Sequence, residues 1–335
     1  MKKIFTLLLL ALTITVVAQE TTKTGATVDR NSDGKIVALR GTCGAEGDGS
    51  NISWALAVKS GVLRIWGEGA MCNKFKRDSV PWLLARDYIK VVTFIGEITT
   101  IGRNSFYECK NLKTIAHLPN TLTRIGDRAF ARTALDSITI GPLDKLDWYV
   151  FDECLKLKSV TFTGDIKRFG RGCFCRCINL EHVEMPKHTD DIVFPCFMGC
   201  DMLPVIDGIR YADTYMVEVV DKDKKACEVK EGTKWIQNYA FKQCSQMEKV
   251  TIPESVEDIG MVAFYNCVNL RSITCLATIP PKAHKDIDRG KDDTFTGLLP
   301  ALITVYVPTQ SVEAYKKDSK WGQFNIVGID AKGTK

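Results

Sequence analysis

The side chains able to do chemistry in this 335-residue chain are mostly its thirteen cysteines and four histidines. Cys173, Cys175 and Cys177 lie in the run GCFCRC, a spacing that suggests a metal-thiolate cluster. A closed zinc site takes four ligands, and neither a second cysteine pair nor a histidine stands at a fitting distance. The sequence therefore points to no metal and no cofactor. Asp29-Arg30-Asn31-Ser32-Asp33-Gly34 opens like a calcium loop, but the last position of a twelve-residue loop must be acidic and here it is Arg40. That stretch reads as a polar turn. His117, His182, His188 and His284 belong to no H-E-x-x-H pair, and no G-x-S-x-G elbow or phosphate-cradling glycine loop appears. His182 and Glu184 alternate outward on one expected strand, as a solvated surface pair. No catalytic residue is expected.

What positions these residues is a repeat. Seven segments share the pattern I-G-x-x-A-F-x-x-C-x-x-L-x-x-I-x-I, anchored on Phe106, Phe130, Phe151, Phe174, Phe197, Phe241 and Phe264. The gaps between these phenylalanines are 24, 21, 23, 23, 44 and 23 residues. Self-similarity at such a period marks a solenoid. The L-x-x-I-x-I end alternates apolar and polar residues, which predicts a short strand with one buried face. The A-F-x-x-C part spaces its apolar residues by three, which predicts a helical turn that returns the chain. One unit cannot bury its own apolar face, whereas stacked units can. Each ladder phenylalanine contributes about 1.5–3 kcal/mol by burial. The 44-residue gap contains Asp207 to Val229, read as a hairpin inserted between repeats.

The register also explains the cysteines. Cys109, Cys154, Cys177, Cys200, Cys244 and Cys267 fall three residues after a ladder phenylalanine, in one inward column where a thiol acts as a small hydrophobe. Stacked neighbours such as Cys177 and Cys200 come near disulfide distance, but the geometry a disulfide needs does not follow from register alone. Cys43 and Cys72 lie outside the column and are the better candidates for a bridge. Cys173 shares a small-residue column with Ala129, Cys196, Ala240 and Ala263, which leaves Cys175 alone without a packing reason.

These motifs resemble the BspA-like leucine-rich-repeat family of surface and secreted bacterial proteins. The resemblance extends from about Gly41 to Ile329. It includes Gly41-Thr42-Cys43-Gly44, Ile52-Ser53-Trp54, Gly67-Glu68-Gly69-Ala70-Met71 and Pro81-Trp82 before the repeats, and Tyr306-Val307-Pro308 through Tyr315 to Trp321 after them. It implies an α/β solenoid, a right-handed coil of short strands and short helical turns. A β-rich N-terminal cap and a strand–helix C-terminal cap would close its ends. It also implies attachment to host matrix proteins or other cells. The expected organisation is a signal peptide at 1–18, a polar linker at 19–40, a cap at 41–95, repeats at 96–275 and a second cap at 276–335.

Lys2 and Lys3, the apolar run from Phe5 through Val17, and Val16 and Ala18 at −3 and −1 predict export with cleavage after Ala18. The run is too short for a membrane span, and no other segment qualifies, so no transmembrane segment is expected. Loss of the two lysines lowers the formal charge from +5 to +3, which argues against nucleic acid as a partner. The expected location is cell surface, extracellular or periplasmic.

Two surfaces are candidates for binding. The outward strand residues, among them Thr114, Ser137, Thr139, Ser159, Thr161, His182 and Glu184, are mostly small hydroxyl side chains, as strand propensity alone favours. They offer no aromatic stripe for stacking sugars. The second surface is a flank where Trp148 and Phe194 share a column with Arg103, Asp127, Arg171, Asn238 and Met261, with Trp235 in the column beside it. Exposed aromatics are enriched at interfaces, so Trp148, Phe194 and Trp235 are the expected ligand contacts. A competing reading has the 207–229 hairpin folding over Phe194 and Trp235 and burying them. The expected partner is a protein ligand on a host matrix or cell surface, with a glycan as the alternative.

Overall fold

A computed structural model describes residues 18–193, 195–284 and 293–330. The signal peptide proposed for 1–18 lies outside these residues except for Ala18. The repeats stack as a β-solenoid. Each rung gives one short strand to each of two sheets and closes through the A-F-x-x-C turn. Parallel strands Ile98–Ile101, Arg124–Ile125, Leu143–Leu146, Ile166–Phe169 and Asp191–Ile192 form one sheet in sequence order. Strands Ser137–Ile140, Ser159–Phe162 and His182–Glu184 form the facing sheet. Their alternating sequences put Ile138, Val160 and Val183 in the core and the hydroxyl and charged residues outside.

The core is a ladder of rings. Phe106, Phe130, Phe151, Phe174 and Phe197 stack nearly parallel, with centroids 5.0–5.4 Å apart. Trp82 extends the ladder before Phe106, and Phe295 extends it after Phe264.

The expected helical turns are a misreading. The A-F-x-x-C segments carry no α-helix, and the described residues contain a single α-helix, Val312–Lys317. Residues two before and two after the ladder phenylalanine have positive φ: Asn104 and Glu108, Arg128 and Arg132, Tyr149 and Glu153. The left-handed conformation costs a non-glycine residue roughly 1–2 kcal/mol, and here it turns amide groups along the solenoid axis. Phe106 N–H then donates to the Ala129 carbonyl at 2.7 Å, Phe130 to Val150 at 2.9 Å and Phe151 to Cys173 at 2.8 Å. A helix would direct those amides back into its own turn. The three-residue apolar spacing is common to both conformations, which is why the sequence pattern misled.

Residues 19–40 are also not a linker. Ala18–Thr21, Thr27–Arg30 and Ile36–Thr42 form antiparallel strands that continue through Ile52–Ala57 to Val62–Gly67. The sheet turns parallel where Val62–Gly67 meets Val91–Ile95, the first strand of solenoid type. Val28 and Leu39 are buried, and Asp29 pairs with Arg40 across the second hairpin. Asn31 Oδ1 accepts from the amides of Asp33 and Lys35, so the calcium-like stretch is a hairpin turn held by its own asparagine.

Candidate functional site at a break in the stack

All thirteen cysteines are free thiols. Four of the six in the inward column use the one donor they have in the same way. Cys154, Cys177, Cys200 and Cys267 each donate to the carbonyl of the ladder phenylalanine one rung earlier, at 3.0–3.2 Å. Burial pushes the Cys154 and Cys175 thiols up to about 11, away from the thiolate that a nucleophile or metal ligand requires. Cys173 donates to Gly170 O at 2.9 Å, and Cys175 lies 3.9 Å from Pro195 O. The GCFCRC thiols are thus occupied by backbone. Among the described residues no cluster of histidine, cysteine and acidic groups is arranged to hold a metal ion. His182 lies 3.5 Å from Glu184, both exposed, and is not brought to Cys175.

The three aromatic residues expected to contact a ligand separate in the structure. Trp148 is 53 % exposed; its amide donates to Asp127 Oδ1, which fixes the backbone that carries the ring outward. Phe194 lies outside the described residues. Trp235 is corrected from contact residue to core residue. It is 1 % exposed, because strand Tyr215–Val219 pairs alongside it and continues its sheet.

That strand belongs to the insertion, which is more than a hairpin laid between rungs. Val205–Ile206, Ile209–Ala212 and Tyr215–Val219 form an antiparallel meander, and the last of them serves as a rung strand in a sheet running on through Trp235–Ile236 and Asp258–Ile259. Ala226–Glu228 supplies the facing strand. Backbone-to-backbone hydrogen bonding between rungs therefore stops at the Phe197 rung and restarts beyond it. Phe197, stacked on Phe174 before it, packs edge-on against Tyr215 at 5.2 Å.

The break is bridged by Gln237, which stands where four of the six other rungs have glycine. At Gly126, Gly170 and Gly260 a Cβ would lie 2.5–2.6 Å from the backbone of the preceding rung. Gln237 Oε1 accepts from the amides of Cys196 at 3.2 Å and Phe197 at 3.1 Å, and from the Tyr215 hydroxyl at 3.3 Å. Val219 N–H meanwhile donates to the Ala240 carbonyl, as a preceding rung's phenylalanine would. Sequence reasoning passed over Gln237, although its departure from the glycine column beside a 44-residue gap was the available signal.

Beside Gln237 the break opens into a cleft of about 630 Å³. Met198 and Tyr239, both about half exposed, line it with Arg171, Lys222 and Lys242. Arg171 and Trp148 are joined through adjoining rungs, since the Tyr149 amide donates to the Arg171 carbonyl at 2.8 Å. The cleft and the exposed tryptophan thus share one flank.

Stacked rungs, a phenylalanine ladder and a thiol column define a bacterial leucine-rich-repeat solenoid. The BspA type leucine rich repeat region matches in six copies over residues 85–204 and 222–291, more than half the chain, and the protein belongs to that family. No curated protein matches. Solved structures similar to this chain include a leucine-rich repeat protein from Eubacterium ventriosum, 20 % identical over 87 % of this chain and 85 % of that one, with a TM-score of 0.39. The pneumococcal vaccine antigen PcpA is 16 % identical over 87 % of this chain and all of its own, at 0.32. A leucine rich cell surface protein from Faecalibacterium prausnitzii is 16 % identical over 83 % and 93 %, at 0.27. No helix among the described residues is long and apolar enough to cross a membrane.

Proposed function

We propose that this protein is an exported, non-catalytic recognition module that binds a protein ligand on a host matrix or a neighbouring cell. The observation that carries this reading is Trp148, a large ring held 53 % exposed at a turn position where the two preceding rungs and the one after it have Arg103, Asp127 and Arg171. Exposing an indole forgoes burial that would stabilise the monomer by about 1.5–3 kcal/mol, a cost that contact with a partner offsets. Family membership supports the same reading, and the thiols are held away from chemistry. In this scheme residues 1–18 direct export and are removed. Units 41–95 and 276–335 shield the terminal rungs of the solenoid, which a stacked-repeat core requires.

The test is a binding screen of the protein against matrix proteins, mucins and glycans, with Trp148→Ser alongside. A saturable protein ligand whose affinity falls at least about tenfold in the variant supports recognition through this flank. A glycan ligand instead of a protein would favour a carbohydrate-binding accessory. Binding unaffected by the variant would move the site to the hydroxyl-lined strands.

A further inference from the structure

We propose that the cleft at the break between the Phe197 and Phe241 rungs binds an extended acidic polypeptide segment bearing apolar side chains. The inference rests on the reading of the chain as a protein-recognition module and names the chemistry of its partner.

Charge carries the first part of the argument. Arg171, Lys222 and Lys242 line the cleft, and none has an acidic partner among the described residues. Lys242 is 5.6 Å from the Tyr239 ring, a contact that leaves its charge uncompensated. The one acid in the lining, Glu218, is engaged by Arg210 at 3.2 Å. In the turns before the break, by contrast, Arg132 bridges Glu108 and Glu153, and Arg176 bridges Glu153 and Asp152. The cleft is therefore a local positive site on a chain of low net charge, and such a site selects an anionic partner.

The rest of the lining decides between anions. Met198, Val217 and Met261 make apolar walls, and methionine adapts to irregular apolar side chains. A sulfated glycan would leave these walls uncovered. An acidic peptide with leucine-like residues covers them and meets the cations as well. The backbone at the break offers further contacts. The Gly199 amide, next to Met198, has no hydrogen-bond partner among the described residues, although the equivalent amides of Glu108, Arg132, Glu153 and Arg176 each donate to the following rung. Extended peptides recognise such interrupted ladders through main-chain hydrogen bonds.

The test measures fluorescence anisotropy of a labelled decapeptide alternating glutamate with leucine, titrated with the protein. A lysine–leucine decapeptide and a heparin-derived dodecasaccharide serve as comparison probes. Lys222→Glu with Lys242→Glu reverses two charges on the surface, and circular dichroism confirms that the fold is retained. The proposal expects the acidic decapeptide to bind, the basic one not to, and affinity to fall at least about tenfold in the double variant. Met198→Ser should weaken binding by a smaller factor. Equal binding by the double variant, equal binding of the basic decapeptide, or no binding of the acidic one overturns the proposal. Binding of the dodecasaccharide in place of the peptide overturns it too. A protein ligand that depends on Trp148, from a chain that ignores the acidic decapeptide, sinks the cleft and leaves the recognition reading standing. Silence in both experiments sinks both.

Discussion

The rungs before the break and those after it follow one apolar pattern with different polar wiring. From Phe106 to Phe197 five rings stack without interruption. Over them runs a chain of ion pairs, Arg86–Glu108–Arg132–Glu153–Arg176, with acid and base alternating from rung to rung. After the break Phe241, Phe264 and Phe295 stack again, but the equivalent outer positions are Gln243 and Asn266. Both regions keep the cross-rung asparagine bonds, Asn111 and Asn179 on one side and Asn269 on the other. Stacking thus depends on the buried columns, whereas the outer ones are free to vary. Continuity between the regions depends on substitutes for the missing ladder bonds, chiefly Gln237.

The comparison can be broken at its core first. Phe151→Ala, in the middle of the longer stack, should cost about 3–5 kcal/mol, read from denaturant midpoints. An equal loss for Phe295→Ala, at the end of the shorter stack, would deny that position in the ladder matters. Next in size is Gln237→Leu, which strips the acceptor from three buried donors. A loss of about 2–3 kcal/mol is expected, and calorimetry should resolve two transitions where the parent shows one. A single transition at the parent's temperature would show that Gln237 joins nothing.

Alkaline pH tests the buried thiols, whose pKa burial raises on both sides of the break, as at Cys275 after it. Cys154 and Cys175, before the break, are raised from 9.0 to about 11 by burial. Below pH 9 folded and unfolded chains both keep these protons. Between about 9 and about 11 only the unfolded chain releases them, so stability falls as pH rises, by ~1.4 kcal/mol per unit for each thiol. Cys154→Ala should flatten that slope, and a slope that does not change would contradict the assignment. The smallest effect belongs to the ion-pair chain. Arg132→Ala should cost no more than about 1 kcal/mol, shrinking further at high salt.

Much of this molecule was legible in the sequence. The spacing of Phe106 through Phe264 and the alternation of residues such as Val160 and Phe162 determine a stacked-rung solenoid, because only one register buries every ring. The inward thiol column follows from the same spacing. The turn conformation did not: apolar residues three apart suit a helical turn and a left-handed-kinked turn alike, and hydrogen bonding to the neighbouring rung decides between them. Nor could composition show that residues 19–40 are sheet, since strand pairing with Ile52–Ala57 lies beyond any local pattern. Trp148 and Trp235 look alike as residue types at neighbouring columns. Only the tertiary structure buries one and exposes the other, because burial depends on which distant strand, here Tyr215–Val219, lies alongside.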